Sequence, residues 1–345
     1  MSRIDVIIPC YQYGRFLRQC VESVLSQSHE DLRVLIIDDA SKDKTAEVAE
    51  ALVAEDHRVT FRRHTTNIRH IATFNEGLAW ATGEYTVLIS ADDMLAPGSL
   101  ARSVRLLDAH PEVGFAYGPA IVIQTDEDLP EARSSSKEDP WNILSGPAFI
   151  ELCCDAGSNL VSTPTVMVRT SLQHQLGGYR PDLPHSADME MWMRFGAHAA
   201  VGLIDADQAY YRLHDKNMSR GYFNGMDNAR FEPAIADLRQ RKAAFDVFFE
   251  TQAAFIADVE RLRKDADRGL AWEAFWGASA VFEQGGISGC DAMLEFALEI
   301  APELVAEPEW SRMRFKRRLG PRLWSTLRPV VGFLRPRSST MTQLT

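Results

Sequence analysis

Two aspartate pairs, Asp38-Asp39 and Asp92-Asp93, each stand at the end of a short apolar run. Val34-Leu35-Ile36-Ile37 precedes the first pair. Tyr85-Thr86-Val87-Leu88-Ile89 leads through Ser90-Ala91 into the second. Such runs between helical patterns read as buried parallel strands. Ligands of open α/β sheets bind beyond the carboxyl ends of the strands, where both pairs fall. There one carboxylate can accept hydrogen bonds from vicinal ribose hydroxyls, and another can ligate a divalent cation bridging two phosphates. Mg²⁺ and Mn²⁺ favour such oxygen ligands. Asp92-Asp93 suits the cation, and Asp38-Asp39 suits the nucleotide. Aspartate also caps turns and helices, so either pair alone reads as a turn. Two pairs at equivalent strand ends read as a site.

The elements that must position them alternate. The pattern predicts strands at 5–9, 32–37, 59–61, 85–90 and 114–117. Between them come helices at 16–27, 44–53 (capped by Ser41), 71–81 (closed by Gly83) and from Pro97-Gly98-Ser99 to residue 110. This rhythm implies an α/β fold with a mostly parallel sheet covered by helices on both faces. The middle is less regular. A polar, acid-rich loop is expected at 124–139, and helices at 146–154, 170–176 and 188–197. Short strands are expected at 164–168 and 209–213. Beyond about residue 226 only helical stripes remain, at 229–249, 255–275 and 291–300, so a domain boundary is expected near 225.

These residues resemble the family 2 glycosyltransferases, which have the GT-A (Rossmann-like) fold and invert the anomeric centre. The resemblance spans about residues 4–219. Val6-Ile7-Ile8-Pro9-Cys10-Tyr11 is similar to the family's first strand and nucleotide turn, and Ser26-Gln27-Ser28 to the end of its first helix. Ile36 to Thr45 is close to "vDDgStDgT". Asn75-Glu76-Gly77 with Ala81-Thr82-Gly83-Glu84-Tyr85 matches "N.G...A.GeY", and Ser90-Ala91-Asp92-Asp93 matches the end of the metal-binding "DxDD". The resemblance implies that Pro9, Tyr11 and Asp39 line the base and ribose pocket, with Tyr11 stacking on the base or simply packing. It implies that Asp38 contacts the base or braces its loop, that Asn75 belongs to the donor site, that Asp92 meets the ribose or sugar, and that Asp93 ligates Mn²⁺ or Mg²⁺. Two departures stand out: Ser90 replaces the first acid of the metal pattern, and Phe74 stands where many members have a base.

Gly177-Gly178-Tyr179 followed by His185 to Arg194 resembles "GGfd...AEDwdlwlR". Asp188 then aligns with the general base that takes the acceptor hydroxyl's proton. Ala187 replaces the usual glutamate before it, and Glu190 is expected to point elsewhere. Asp188 can equally cap the helix that follows. Tyr211-Arg212-Leu213-His214-Asp215-Lys216-Asn217-Met218-Ser219 resembles "YR.H..n.S". It implies that His214 ligates the metal or touches the diphosphate and that Arg212 offsets phosphate charge. A loop at 220–227 is expected to order on donor binding. Ser162 to Thr165 reads as acceptor contact or core packing, and Trp192 as core. The division implied is a catalytic domain at 1–225 (nucleotide-sugar half 1–118, acceptor half 119–225) and a helical extension at 226–345 with a basic amphipathic tail at 311–337.

Net charge is −11, which argues against nucleic acid as a partner. The charge is uneven. From Ser311 onward there are nine Lys/Arg and no Asp/Glu, whereas the first 310 residues carry 28 basic and 48 acidic side chains. Cations interleaved with Phe315, Leu323 and Trp324 suit either an anionic membrane surface or the acidic body of the protein itself. Gly320-Pro321 and Pro329 are expected to break any long helix there. Five cysteines lack metal spacing and read as buried thiols. The first strand begins at once, leaving no leader, and no apolar run reaches the ~20 residues of a membrane span. The expected compartment is the cytoplasm, with contact to the inner face of the membrane through the tail.

The sequence therefore predicts a metal-dependent inverting glycosyltransferase. Its donor is a nucleoside-diphosphate sugar, a UDP-sugar on family frequency, and its acceptor a glycan or lipid-linked hydroxyl, in surface polysaccharide or glycoconjugate biosynthesis. An inactive glycan-binding scaffold is the alternative that Ser90 and Ala187 allow. A nucleotidyltransferase is disfavoured by the single glycine and single arginine between Pro9 and Arg15. An NAD dehydrogenase is disfavoured by the lack of a G-x-G-x-x-G after a strand.

Overall fold

The computed structural model describes residues 2–124, 129–134, 140–214, 217 and 231–332. The acid-rich stretches 125–128 and 135–139, Asp215, Lys216, Met218, Ser219, the loop 220–227 and the tail beyond 332 lie outside the described residues.

Eight strands form one sheet in the order β3-β2-β1-β4-β9-β6-β10-β8. β1 (Ile4–Cys10), β2 (Leu32–Asp38), β3 (Val59–Arg63) and β4 (Tyr85–Leu88) run parallel. β9 (Met167–Arg169) is antiparallel to both β4 and β6 (Val113–Tyr117). β10 (Ala200–Ile204) returns parallel to β6 and pairs antiparallel with β8 (Trp141–Leu144). A second sheet has the order β5-β11-β7, from β5 (Met94–Leu95), β7 (Ala120–Ile123) and β11 (Ala209–Arg212). The mixed, mostly parallel sheet is the one expected.

Alternation along β1 explains the layers. Val6 and Ile8 join one core with Leu17, Cys20, Val21 and Val24 of α1 (Gly14–Leu25) and with Ala49 and Leu52 of α2 (Thr45–Glu55). Leu100, Leu106 and Leu107 of α4 (Ser99–Ala109) complete it. Ile7 points the other way, against α3 (His70–Trp80): a Cβ at Gly77 would lie 2.3 Å from Ile7 Cγ2. Burial on both faces is why these strands read as continuous apolar runs.

Some boundaries differ from the pattern, for local reasons. Ser41 does not cap α2: its hydroxyl accepts the Gln12 N–H at 2.7 Å, and Lys44 occupies the cap position. Gly83 does not close α3; its N–H donates to Asp5 at 2.7 Å instead. The expected strand at 164–168 divides into a 3₁₀ turn, Thr163–Thr165, and β9. α5 (Gly146–Ala156), α6 (Thr170–Leu176) and α7 (Ala187–Gly196) fall close to expectation. All five cysteines are buried and free.

The chain forms two compact units: residues 1–220 with 240–266, and 221–239 with 267–345. The sheets belong to the first. The second draws on α8 (Phe231–Gln252), α9 (Val259–Glu283), α10 (Ile287–Ile300) and α11 (Pro308–Gly332). Within it Trp310 packs against Phe275, ring centres 5.2 Å apart, and Lys316 Nζ reaches Glu283 at 2.7 Å and Ser279 Oγ at 2.8 Å. α11 bends at Gly320 (φ 78°), as Gly320-Pro321 foretold, but continues through Pro329.

Candidate active site

The tips of β1, β2 and β4 meet because their registers align. Pro9 pairs with Ile37 and Cys10 with Asp38. Beyond the strands the Asp39 N–H donates to Cys10 O at 2.9 Å, and the Ala91 N–H to Pro9 O at 3.3 Å. Both aspartate pairs therefore converge on one edge. Gln12, Ala40 and Arg69 all hold left-handed backbone there (φ 58°, 60° and 72°). Non-glycine residues adopt that conformation at a cost of order 1–3 kcal/mol each, and such strain clusters at functional sites.

The first pair turns inward. Asp38 is wholly buried; Oδ1 accepts the Ser41 N–H at 2.9 Å, and Oδ2 lies 3.1 Å from Arg63 Nε. Of its two expected roles, the geometry fits the loop brace. Asp39 Oδ1 meets the His64 ring at 2.9 Å and the Ile68 N–H at 2.7 Å, while Oδ2 accepts the Arg69 N–H at 2.9 Å. It thus fastens residues 64–69 over the β2 tip. His64 spans Asp39 and Glu76 (2.7 Å). Burial works against its charge, but the two carboxylates prevail and raise its pKa. Pro9 is buried, whereas Tyr11 is 43 % exposed at the mouth of the site.

The second pair divides its labour. Asp93 Oδ1 accepts the Arg212 N–H at 2.9 Å, a contact set by the antiparallel pairing of β5 with β11. Burial first, and then neighbouring Asp92, hold the Asp93 carboxyl well above the usual carboxylate range. Asp92 is 4 % exposed. Its Oδ2 meets His214 Nε2 at 3.1 Å and Asn217 Nδ2 at 3.3 Å, and its Oδ1 is buried with no hydrogen-bond partner among the described residues. Phe16 and Tyr13 wall the His214 ring at 4.9 and 5.3 Å. An orphaned carboxylate oxygen beside an imidazole nitrogen fits Mn²⁺ or Mg²⁺. Among the described residues no group of three or more His, Cys, Asp or Glu side chains is arranged to hold a metal ion on its own. A cation with two protein ligands completed by phosphates and water is the usual arrangement for Mg²⁺. Of the two adjacent aspartates, Asp92 is the one with a buried free oxygen and a neighbouring imidazole that could hold a cation, whereas Asp93 is engaged by the Arg212 N–H.

Two other expectations change for the same reason: the polar atoms are already engaged. Asn75 donates to Tyr179 O and accepts the Tyr179 N–H, both at 2.8 Å, so it clamps α3 to the segment before α7. Arg212 is 2 % exposed. Its Nε donates to Asp92 O at 2.7 Å, another nitrogen to Gln19 Oε1 at 3.1 Å, and its guanidinium lies 4.6 Å over Phe16. It supports the Asp92 turn from beneath.

Asp188 reaches the same end of the sheet. Antiparallel β9 enters beside β4, with Thr86 opposite Val168, so the preceding turn at Thr163 lies past the β4 carboxyl end. Asn159 Nδ2 and Thr163 Oγ1 both donate to Asp188 Oδ2, at 2.9 and 3.3 Å, while the Met189 N–H donates to Oδ1 at 2.8 Å. Ser186 rather than Asp188 holds the cap position of α7. Dense packing raises the Asp188 pKa against these hydrogen bonds. Glu190 turns into a buried pair with Arg194 at 3.0 Å, and Trp192 packs 5.5 Å from Phe115 in the core, both as expected. Behind Thr163 a cavity of about 10 Å³ is also lined by Tyr179 and Trp192, whose Nε1 is buried with no partner among the described residues. That volume suits one water. Sequence reasoning missed Asn159 and His64, which carry no motif; Asn217 stood within a quoted one.

The family model described as "Glycosyl transferase family 2" matches residues 5–169. An uncharacterized glycosyltransferase, YibD of Escherichia coli, is 34 % identical over 244 residues, 67 % of each chain. The chain belongs to family 2 of the glycosyltransferases. Two solved structures share the fold. S. aureus TarS 1–349 in complex with UDP-GlcNAc has a TM-score of 0.54 at 14 % identity, covering 87 % of this chain and 90 % of that one. A Pyrobaculum calidifontis mannosyltransferase in complex with GDP-Man and Mn²⁺ has a TM-score of 0.52 at 15 % identity, covering 95 % and 84 %.

Proposed function

We propose that this glycosyltransferase is inverting and metal-dependent. It moves a sugar from a nucleoside diphosphate, UDP by preference, to a hydroxyl of a glycan or lipid-linked acceptor. The observation that carries this reading is the pairing of an unpartnered Asp92 oxygen beside His214 with a second, desolvated carboxylate at the same sheet edge. Donor complexes of the two fold neighbours, one with Mn²⁺, support it.

In this reading Asp92 and His214 would hold a divalent cation, which when bound would supply charge neutralisation for a leaving diphosphate. Tyr11 offers an exposed ring to the base. The Asp188 carboxylate takes the proton from the acceptor hydroxyl as that oxygen bonds to the anomeric carbon. The bond to the diphosphate breaks on the opposite face, so configuration inverts. A raised pKa makes Asp188 a stronger base than an ordinary carboxylate. The exposed cations of α11 fit anionic lipid, consistent with an acceptor held at a membrane. Among the described residues no helix is long and apolar enough to cross one.

Transfer and donor hydrolysis with Mn²⁺, for wild type and Asp188→Asn, test the assignment. The variant is expected to lose at least about 10²-fold in kcat while still gaining thermal stability from UDP-sugar. In wild type kcat/KM should fall with decreasing pH through a pKa above the ordinary carboxylate value. Equal rates for the two proteins remove Asp188 from the reaction.

A further inference from the structure

We propose that Asn159 and Thr163 are positioning residues that divide the Asp188 carboxylate between two tasks: Oδ2 is the anchor, and Oδ1 takes the acceptor's proton. This rests on reading Asp188 as the base. A carboxylate oxygen has about two lone-pair directions. At Oδ2 both are filled, by the Asn159 amide at 2.9 Å and the Thr163 hydroxyl at 3.3 Å. At Oδ1 one is filled, by the Met189 N–H at 2.8 Å. Asp188's own N–H adds to the backbone donors, but among the described residues both side-chain donors go to Oδ2 and none to Oδ1, which leaves Oδ1 as the oxygen that faces the acceptor.

Both anchors are themselves fixed. Asn159 Oδ1 accepts the Val161 N–H at 3.1 Å, which orients its amide so that Nδ2 faces the carboxylate. Thr163 opens a 3₁₀ turn stiffened by Pro164. Its carbonyl accepts the Val166 N–H at 3.2 Å, and Val166 leads directly into β9. The anchor is therefore built on the central sheet. It also sets the base's strength: donors to a carboxylate favour its charged form, opposing the desolvation that disfavours it. The other titratable groups around Asp188 are few. His185, just before α7, attracts its charge; the Tyr179 phenol is kept neutral beside it; and Glu190, on the same helix, is turned into Arg194.

The prediction separates positioning from mere support. Asn159→Ala and Thr163→Val should each lower kcat about tenfold and move the acid limb of the kcat/KM profile upward by about one pH unit. The KM for donor should stay within about twofold, because the donor binds elsewhere. Thr163→Ser, which keeps the hydroxyl, should restore both kcat and the wild-type limb. Melting curves with UDP-sugar and Mn²⁺ confirm that each variant is folded. Wild-type pH profiles in both Asn159→Ala and Thr163→Val would overturn the proposal, as would equal loss in Thr163→Ser and Thr163→Val. If Asp188→Asn is inactive while those profiles stay unchanged, the positioning role alone fails. If Asp188→Asn turns over normally, the base assignment itself fails.

Discussion

Asp92 and Asp93 are adjacent in the chain and opposite in environment. Asp93 is enclosed, its oxygen spent on the Arg212 backbone and its pKa raised by burial. A neutral amide can replace it with little loss. Asp92 keeps one buried oxygen that has no partner among the described residues, beside His214 and Asn217. The two asparagine variants should therefore differ. Asp92→Asn should weaken Mn²⁺-dependent donor binding by about 10²-fold, the scale set by losing one charged ligand from a small site. Asp93→Asn should bind within about threefold of wild type. Titration calorimetry with UDP-sugar at fixed Mn²⁺ reads both; the reverse order would return the metal to Asp93. The sequence could not separate them, because what distinguishes them is a hydrogen bond to a residue 119 positions away. The structural contacts of Asn75 and Arg212 were hidden for the same reason. Their type and spacing were visible, but the backbone groups that occupy them come from distant segments.

At the scale of elements, the site depends on α3 lying close against β1. Gly77 permits this, and Asn75, two residues earlier, reaches across to Tyr179. A Cβ at residue 77 would sit 2.3 Å from Ile7 Cγ2, inside a fully buried strand with no room to yield. Gly77→Ala should therefore push α3 outward and cost about 1–3 kcal/mol, as overpacked cores do. A chemical denaturation midpoint unchanged from wild type would show that the helix shifts freely. The longer elements were readable from pattern alone: α1 carries a helical stripe, and β1 and β2 are doubly buried runs. The short strands β5, β7, β8 and β10 were not recognised, since two to five residues carry too little periodicity. Nor could local pattern reveal that β9 is antiparallel to both its neighbours, although that reversal brings Thr163 and Asp188 to the active edge.

At the scale of the whole molecule, charge is the organising asymmetry. Strongly acidic through residue 310, the chain then becomes purely basic. Within the second unit α11 turns Trp310, Met313 and Lys316 inward, while Arg314, Phe315, Arg318, Arg322 and Leu323 stay exposed. Helical spacing puts Arg314 and Arg318 on one side with Phe315 beside them, and Arg322 follows the bend at Gly320. Cations mixed with apolar side chains suit an anionic bilayer better than water alone, and each arginine near such a surface adds about 1 kcal/mol. The full chain should therefore sediment with vesicles containing phosphatidylserine and remain free of purely zwitterionic ones. Replacing Arg314, Arg318 and Arg322 with glutamine removes about 3 kcal/mol, or roughly 10²-fold in partition. High salt should give a similar loss in wild type, because screening acts on the same charges. Solution transfer to a soluble acceptor should be unaffected, since none of the three lies in the first unit, where the aspartates sit. Equal partition of wild type and the triple variant would mean that these arginines do not meet lipid.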